Sequence, residues 1–171
     1  MAENLNYRGT EPDTIGKCYS NNTSNCKKYG RLYNWATAMA LSTSCNSSFC
    51  ASQVSAKHQG ICPSGWHIPS NADLDALMTA VGVSAGTKLK ATSGWNNNGN
   101  GTDNYGFSAL PGGGGNSNGN FYNVGDDGRW WSSTEGSADY AYYRIMDGNR
   151  TVVSLGNGDK TVLKSVRCLQ D

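Results

Sequence analysis

The sequence predicts an α+β fold, because helical periodicity is confined to its first half and strand-like runs fill its last third. A third observation, six cysteines in 171 residues, predicts that disulfides staple a loop-rich chain. At this length the simplest organisation is one domain, residues 1–171, around one core.

Two helices are expected. Leu32, Trp35, Ala36 and Met39 recur at helical spacing and predict an amphipathic helix from Tyr29 to about Leu41. The second has the clearest start in the chain. Ser70 is a natural N-cap, Asp73 stands three residues on as a capping-box acid, and Ile68 is placed to staple against Leu74. Leu74, Leu77, Met78 and Val81 form its apolar stripe, and Gly82 is placed to end it.

Beyond Gly94 the sequence turns to loops, WNNNGNGTDN over 95–104 and PGGGGNSNGN over 111–120, with a short apolar segment at 105–110 between them. Strands are expected over 130–134, 138–146, 150–155 and 161–169, which are rich in Val, Tyr and Trp. Asp147-Gly148 and Gly156-Asn157-Gly158-Asp159 are expected to be the turns between them, giving an antiparallel meander. Gly112–Gly115 lacks the Lys and following helix of a phosphate loop, so a mobile surface loop is expected there.

Six cysteines allow 15 pairings, and arithmetic does not choose among them. Local context does favour one set. Cys18 and Cys26 flank a turn-rich segment, Cys45 and Cys50 flank a tight loop, and Cys62 is left for Cys168. A structural zinc site would want short C-x-x-C spacing and a His partner, which are absent. Disulfides imply an oxidising compartment, and a secreted or cell-surface location is expected.

Composition narrows the partners. A net charge of +1 without a basic stripe argues against nucleic acid. No apolar run is long enough to insert into a bilayer. Met1 leads into polar sequence with no signal-peptide pattern, which suggests a fragment or processed form. Five Trp and nine Tyr supply enough apolar area to fold. Trp66, Trp130 and Trp131 read as core, and His58 and His67 lack the neighbours that catalysis or metal binding would need.

Several strings then coincide with one family. AENLNY (2–7), YGRLYNWATAM (29–39), ICPSGWHIPS (61–70), GFSALPGG (106–113), WWSST (130–134) and SVRC (165–168) resemble, in order, the Fibrobacter succinogenes major paralogous domain. The resemblance implies a C-type lectin-like fold, close to formylglycine-generating enzymes and to the variable proteins of diversity-generating retroelements. It implies the same Cys62–Cys168 pairing. It also implies a strand ahead of Met1, missing here or supplied by another segment.

Functionally, the resemblance implies a non-catalytic ligand-binding or adhesion module, part of a larger adhesin or pilus-like assembly, that meets a protein or glycan on another surface. Its ligand face would lie between WWSST and SVRC, over 135–164. The contact residues expected there are Glu135, Ser137, Asp139, Tyr140, Tyr142, Ile145, Asp147, Asn149, Arg150, Val153, Leu155, Asn157 and Asp159. Tyr and Arg suit such a patch, because they bring area and hydrogen bonding at modest entropic cost. Alternation alone does not say which half faces outward, since both halves are partly apolar.

Other functions are weaker. No cofactor is expected, apart from a weak calcium site at Asn96, Asn98, Asn100 and Asp103, of which Asp103 alone carries charge. Glu11-Pro12-Asp13 has a superficial likeness to a sugar-lectin motif but lies at the wrong end of the chain, and Trp95-Asn96 lacks the acid that should follow. A formylglycine-type oxidase would need reactive thiols, which paired cysteines do not offer. A structural subunit or spacer of a surface fibre is the remaining alternative, through an open sheet edge.

Overall fold

The computed structural model describes residues 1–10 and 15–171, so Glu11-Pro12-Asp13 lies outside the described residues. The elements follow in chain order: α1 (Thr23–Tyr29), β1 (Leu32–Tyr33), α2 (Trp35–Ala38), β2 (Trp66–His67), α3 (Asn71–Val81), α4 (Ala85–Leu89), β3 (Gly114–Gly115), β4 (Phe121–Tyr122), β5 (Asp127–Glu135), β6 (Tyr140–Asp147), β7 (Val153–Asp159), β8 (Lys164–Ser165) and β9 (Leu169–Gln170). The class is α+β. A five-stranded sheet runs β1-β8-β5-β6-β7, and β2–β9 and β3–β4 form two small pairs.

The first expected helix divides into three elements. Gly30 at φ 77° ends α1, and a Cβ there would meet the Leu5 carbonyl at 2.9 Å. Leu32–Tyr33 then pairs with β8 as a strand, and the Asn34 side chain accepts from Thr37 N at 2.8 Å to start the short α2. Leu32, Trp35, Ala36 and Met39 are all buried, but from separate elements. The spacing marked burial rather than one helix.

α3 forms as its sequence predicts. Ser70 Oγ accepts from Asp73 N, Asp73 accepts in return from Ser70 N, and Gly82 at φ 72° terminates it. The expected staple is absent from the core: Ile68 is buried in the main cluster, whereas Leu74 stands outside that cluster. Helix α4 was not foreseen.

The last third departs from a simple meander. β5, β6 and β7 are antiparallel, but β8 lies parallel to β5 through Trp130 and Ser165 and antiparallel to β1. The expected strand 161–169 is two short strands. Gly156–Asp159 is not a turn but the end of β7. Cβ atoms at Gly156 and Gly158 would stand 2.3 Å and 3.0 Å from the Tyr143 ring, so these glycines let that ring lie flat on the strand.

Gly112–Gly115 is likewise no mobile surface loop: all four residues are buried. Gly113 has φ 65°, and a Cβ there would meet Tyr122 O at 2.3 Å. Gly114 and Gly115 pair with β4. Glycine is required because two backbones pass this closely.

Two apolar clusters pack on the sheet. One gathers Tyr33, Trp35, Met39, Ile68, Trp131 and Val166; the other gathers Val81, Leu89, Trp95, Trp130 and Met146. Trp66 is half-buried against the first. The cysteines pair as Cys18–Cys26, Cys45–Cys50 and Cys62–Cys168. The third closes 106 residues, a loop whose chain-entropy contribution is about 4.7 kcal/mol. Among the described residues, no helix is long and apolar enough to cross a membrane.

Candidate ligand-binding surface

The register of β5–β6–β7 decides which residues share a face. Tyr140 lies opposite Asp159, Tyr142 opposite Asn157, Arg144 opposite Leu155, and Met146 opposite Val153. Cross-strand partners point the same way, and alternate residues along a strand point oppositely. These eight therefore form one face, joined by Trp130 opposite Arg144. Ala141, Tyr143 and Ile145 form the other, opposite Gly158, Gly156 and Ser154.

Helix α3 covers part of the first face. Arg144 pairs with Asp75 of α3, and Val153, Trp130 and Met146 pack with Leu77 and Met78. The remainder stays open: Tyr140 is 48% and Leu155 51% exposed, Asn157 and Asp159 are exposed, and Tyr142 is half-buried beside them.

The structure distributes the other expected contacts differently. Ile145 and Asp147 are half-buried on the opposite face. Asn149 and Arg150 are exposed in the β6–β7 turn, where Arg150 Nε lies 3.5 Å from Asp147. Ser137 Oγ accepts from Tyr140 N at 3.2 Å, and Asp139 is exposed on the β5–β6 connection.

Glu135 is a correction. Its side chain is 1% exposed, pairs with Lys160, and accepts from Cys50 N at 2.9 Å, so it supports the surface from within. Lys160 Nζ also donates to the carbonyls of Ser48, at 3.1 Å, and Ala138, at 2.7 Å.

A second buried lysine holds the far end of the hairpin. Lys90 Nζ donates to the carbonyls of Asp147, Gly148 and Arg150 at 3.0–3.1 Å while lying over the Trp95 ring. Burial lowers its pKa, and Asp147 opposes that shift. Lys164 is buried between the rings of Trp131 and Tyr143, 3.6 and 4.4 Å from their centroids. Desolvation, aided by Arg129, pushes its amine down to about 6.

Among the exposed apolar residues to which the sequence did not point are Val152 and Phe49. Val152, 50% exposed, lies in the β6–β7 turn. Phe49, 66% exposed, sits between Ser48 and Cys50, which are tethered to Lys160 and Glu135 respectively. An apolar residue within a polar, cystine-closed loop was the available signal.

Three of the four expected calcium donors are engaged locally. Asn100 Oδ1 accepts from Trp95 N, Asp103 accepts from Ser108 N and Oγ, and Asn96 donates to Asp126. Asn98 is exposed at φ 60°. His67 is buried, with Nδ1 2.6 Å from Asp171, and His58 Nε2 lies 2.8 Å from Met39 O.

A family model described as the Fibrobacter succinogenes major domain matches residues 1–170, taking in every element of this surface. The chain belongs to that family. Neither a curated protein nor a solved structure matches it. In this Fibrobacter succinogenes major domain, the motif WWSST forms the buried centre of β5, and SVRC brings β8 to the Cys62–Cys168 disulfide.

Proposed function

We propose that this domain is a non-catalytic binding or adhesion module of a secreted or surface-displayed bacterial protein, built on a C-type lectin-like fold. It grips a protein or glycan on another surface with the open part of the β6–β7 face and the adjoining turn. Within residues 135–164, the outward positions are then the ones that a diversity-generating retroelement would rewrite.

One observation carries this reading. Tyr140, Leu155, Asn157 and Asp159 project from a hairpin whose ends are fixed by buried Lys160 and Lys90. Outward side chains on such a frame can change without disturbing the core, while Tyr and Leu supply area for contact. The pairing of all six cysteines supports setting the formylglycine-type oxidase aside, because it leaves no thiol nucleophile.

The test uses labelled protein on an array of bacterial and host glycans and on a panel of immobilised surface proteins. Any hit is measured again with Tyr140→Ala, Leu155→Ala and Arg150→Ala. At least a tenfold loss is expected from Tyr140→Ala or Leu155→Ala. Unchanged binding by all three removes this face from consideration.

A fibre-subunit reading rests on a different observation: β7 is the edge of the five-stranded sheet, with no proline or lysine within it. It predicts self-association at high concentration. A monomer throughout light-scattering measurements argues against it.

A further inference from the structure

Helix α3 does not settle fully on the sheet. Leu74, Leu77 and Met78 of its apolar stripe remain only half-buried, although an amphipathic helix ordinarily buries that stripe. Between α3 and the strands lies a cleft of about 200 Å³, bordered by Leu77, Met78, Trp130, Met146 and Arg144. It adjoins a second, more open depression of about 360 Å³ that shares Leu77 and Phe107 and reaches Val81, Leu89 and Tyr105.

Arg144 is the polar side chain in this cleft with spare capacity; the Met1 ammonium, which also borders it, donates to the Cys168 carbonyl at 2.9 Å. The Arg144 side chain is 8% exposed, and its Nε has no hydrogen-bond partner. Its counter-charge, Asp75, is 65% exposed and therefore screened by solvent. The other charged side chains bordering the cleft are engaged: the Asp73 carboxylate accepts from Ser70 N and Oγ, and Arg167 donates to Asn4, Phe107 and Ser108. A buried N–H without an acceptor is rare in native interiors and calls for an explanation.

We propose that this cleft binds a small linear alkyl carboxylic acid. Its carboxylate pairs with the Arg144 guanidinium, and its hydrocarbon lies between α3 and Trp130. A dry cavity of about 150 Å³ takes benzene, so this one holds roughly seven to nine non-hydrogen atoms. A longer tail runs over Leu77 into the open depression, which favours a chain over a ring. A ligand of this size binds with a dissociation constant of about 10 µM to 1 mM. The site is separate from the open β6–β7 face.

The experiment titrates the full chain with octanoate and with octanol, followed by calorimetry and by amide shifts of α3 and β6. Octanoate is expected to saturate and to bind at least tenfold tighter than octanol. Arg144→Met should abolish that preference, and Leu77→Trp should abolish binding of both compounds. Leu77→Phe, a milder filling of the same space, serves if the Trp variant does not fold. Tyr140→Ala and Leu155→Ala should leave octanoate binding unchanged, so this site and the surface proposed above stand or fall separately. Equal binding of octanoate and octanol overturns the proposal, as does octanoate binding that survives in folded Leu77→Phe. No saturable binding of octanoate, with α3 shifts appearing only on self-association, assigns the cleft to a protein contact instead.

Discussion

Lys160 and Glu135 form an ion pair in which neither side chain reaches solvent, at 0% and 1% exposure. The pair sits where the β5–β6 connection, the end of β7 and the Cys45–Cys50 loop converge, with Lys160 Nζ also over the Trp35 ring. Removing one partner strands the other as a buried charge, which costs about 3–5 kcal/mol. Lys160→Met should lower stability by that amount in urea denaturation, and Glu135→Gln by less, since the amide oxygen still accepts. A loss under 1 kcal/mol for Lys160→Met would mean that the convergence holds without the pair.

This pair also shows where the sequence stopped being informative. The capping box of α3 was readable because its partners lie three residues apart, and the two short disulfides because their loops are short. Glu135 offered no such cue: Lys160 is 25 residues away and Cys50 is 85. As the first residue of the window that the family resemblance implies, it therefore read as a surface contact. Glycines misled for a related reason. Gly112–Gly115 and Gly156–Gly158 carry the composition of mobile loops and turns, yet their small size serves neighbouring rings and backbones that only the fold brings close. Of the candidate face, strands across 138–146 and 150–155 were legible, but which of their residues point outward was not. The outward set required the β6–β7 register and the placement of α3.

Lys90 closes the β6–β7 turn from below with three hydrogen bonds to carbonyls. A neutral, similarly sized replacement removes all three and leaves the Asp147, Gly148 and Arg150 carbonyls to water. Hydrogen bonds to charged donors contribute roughly 1.5–3 kcal/mol each before solvent compensates at an exposed turn. Lys90→Met should cost about 3 kcal/mol in total. Hydrogen exchange should accelerate over residues 147–152 before it does so in β5. Uniform acceleration across the sheet would show that the clamp is not local.

Tyr143 lies over Gly156 and Gly158, with its ring edge-on to Trp131 at a centroid distance of 6.0 Å. Adding a methyl at Gly156 places carbon 2.3 Å from the ring, so the ring or β7 has to move. Overpacking of this kind costs about 1–3 kcal/mol. Gly156→Ala should fall in that range, and the double variant with Tyr143→Ala should show coupling, costing less than the sum of the two single changes. Strict additivity in that cycle would place the strain elsewhere.

Lys164 should make stability depend on pH in a defined window. Its amine sits near 6 in the folded chain, against an ordinary lysine value of about 10.4 once unfolded. Between these values the unfolded state holds a proton that the native state lacks. Native stability therefore rises with pH across the window, by at most about 1.4 kcal/mol per unit. Below about 6 both states are protonated and the native chain carries the full cost of burying the charge, offset in part by the Trp131 and Tyr143 ring faces. Lys164→Met removes this contribution while leaving Lys90, whose pKa burial also lowers, in place. Urea denaturation at pH 6, 7.5 and 9, below the tyrosine range, should show the variant's advantage over the parent largest at pH 6 and shrinking toward pH 9. A constant difference at all three values would show that Lys164 keeps its proton in the folded chain.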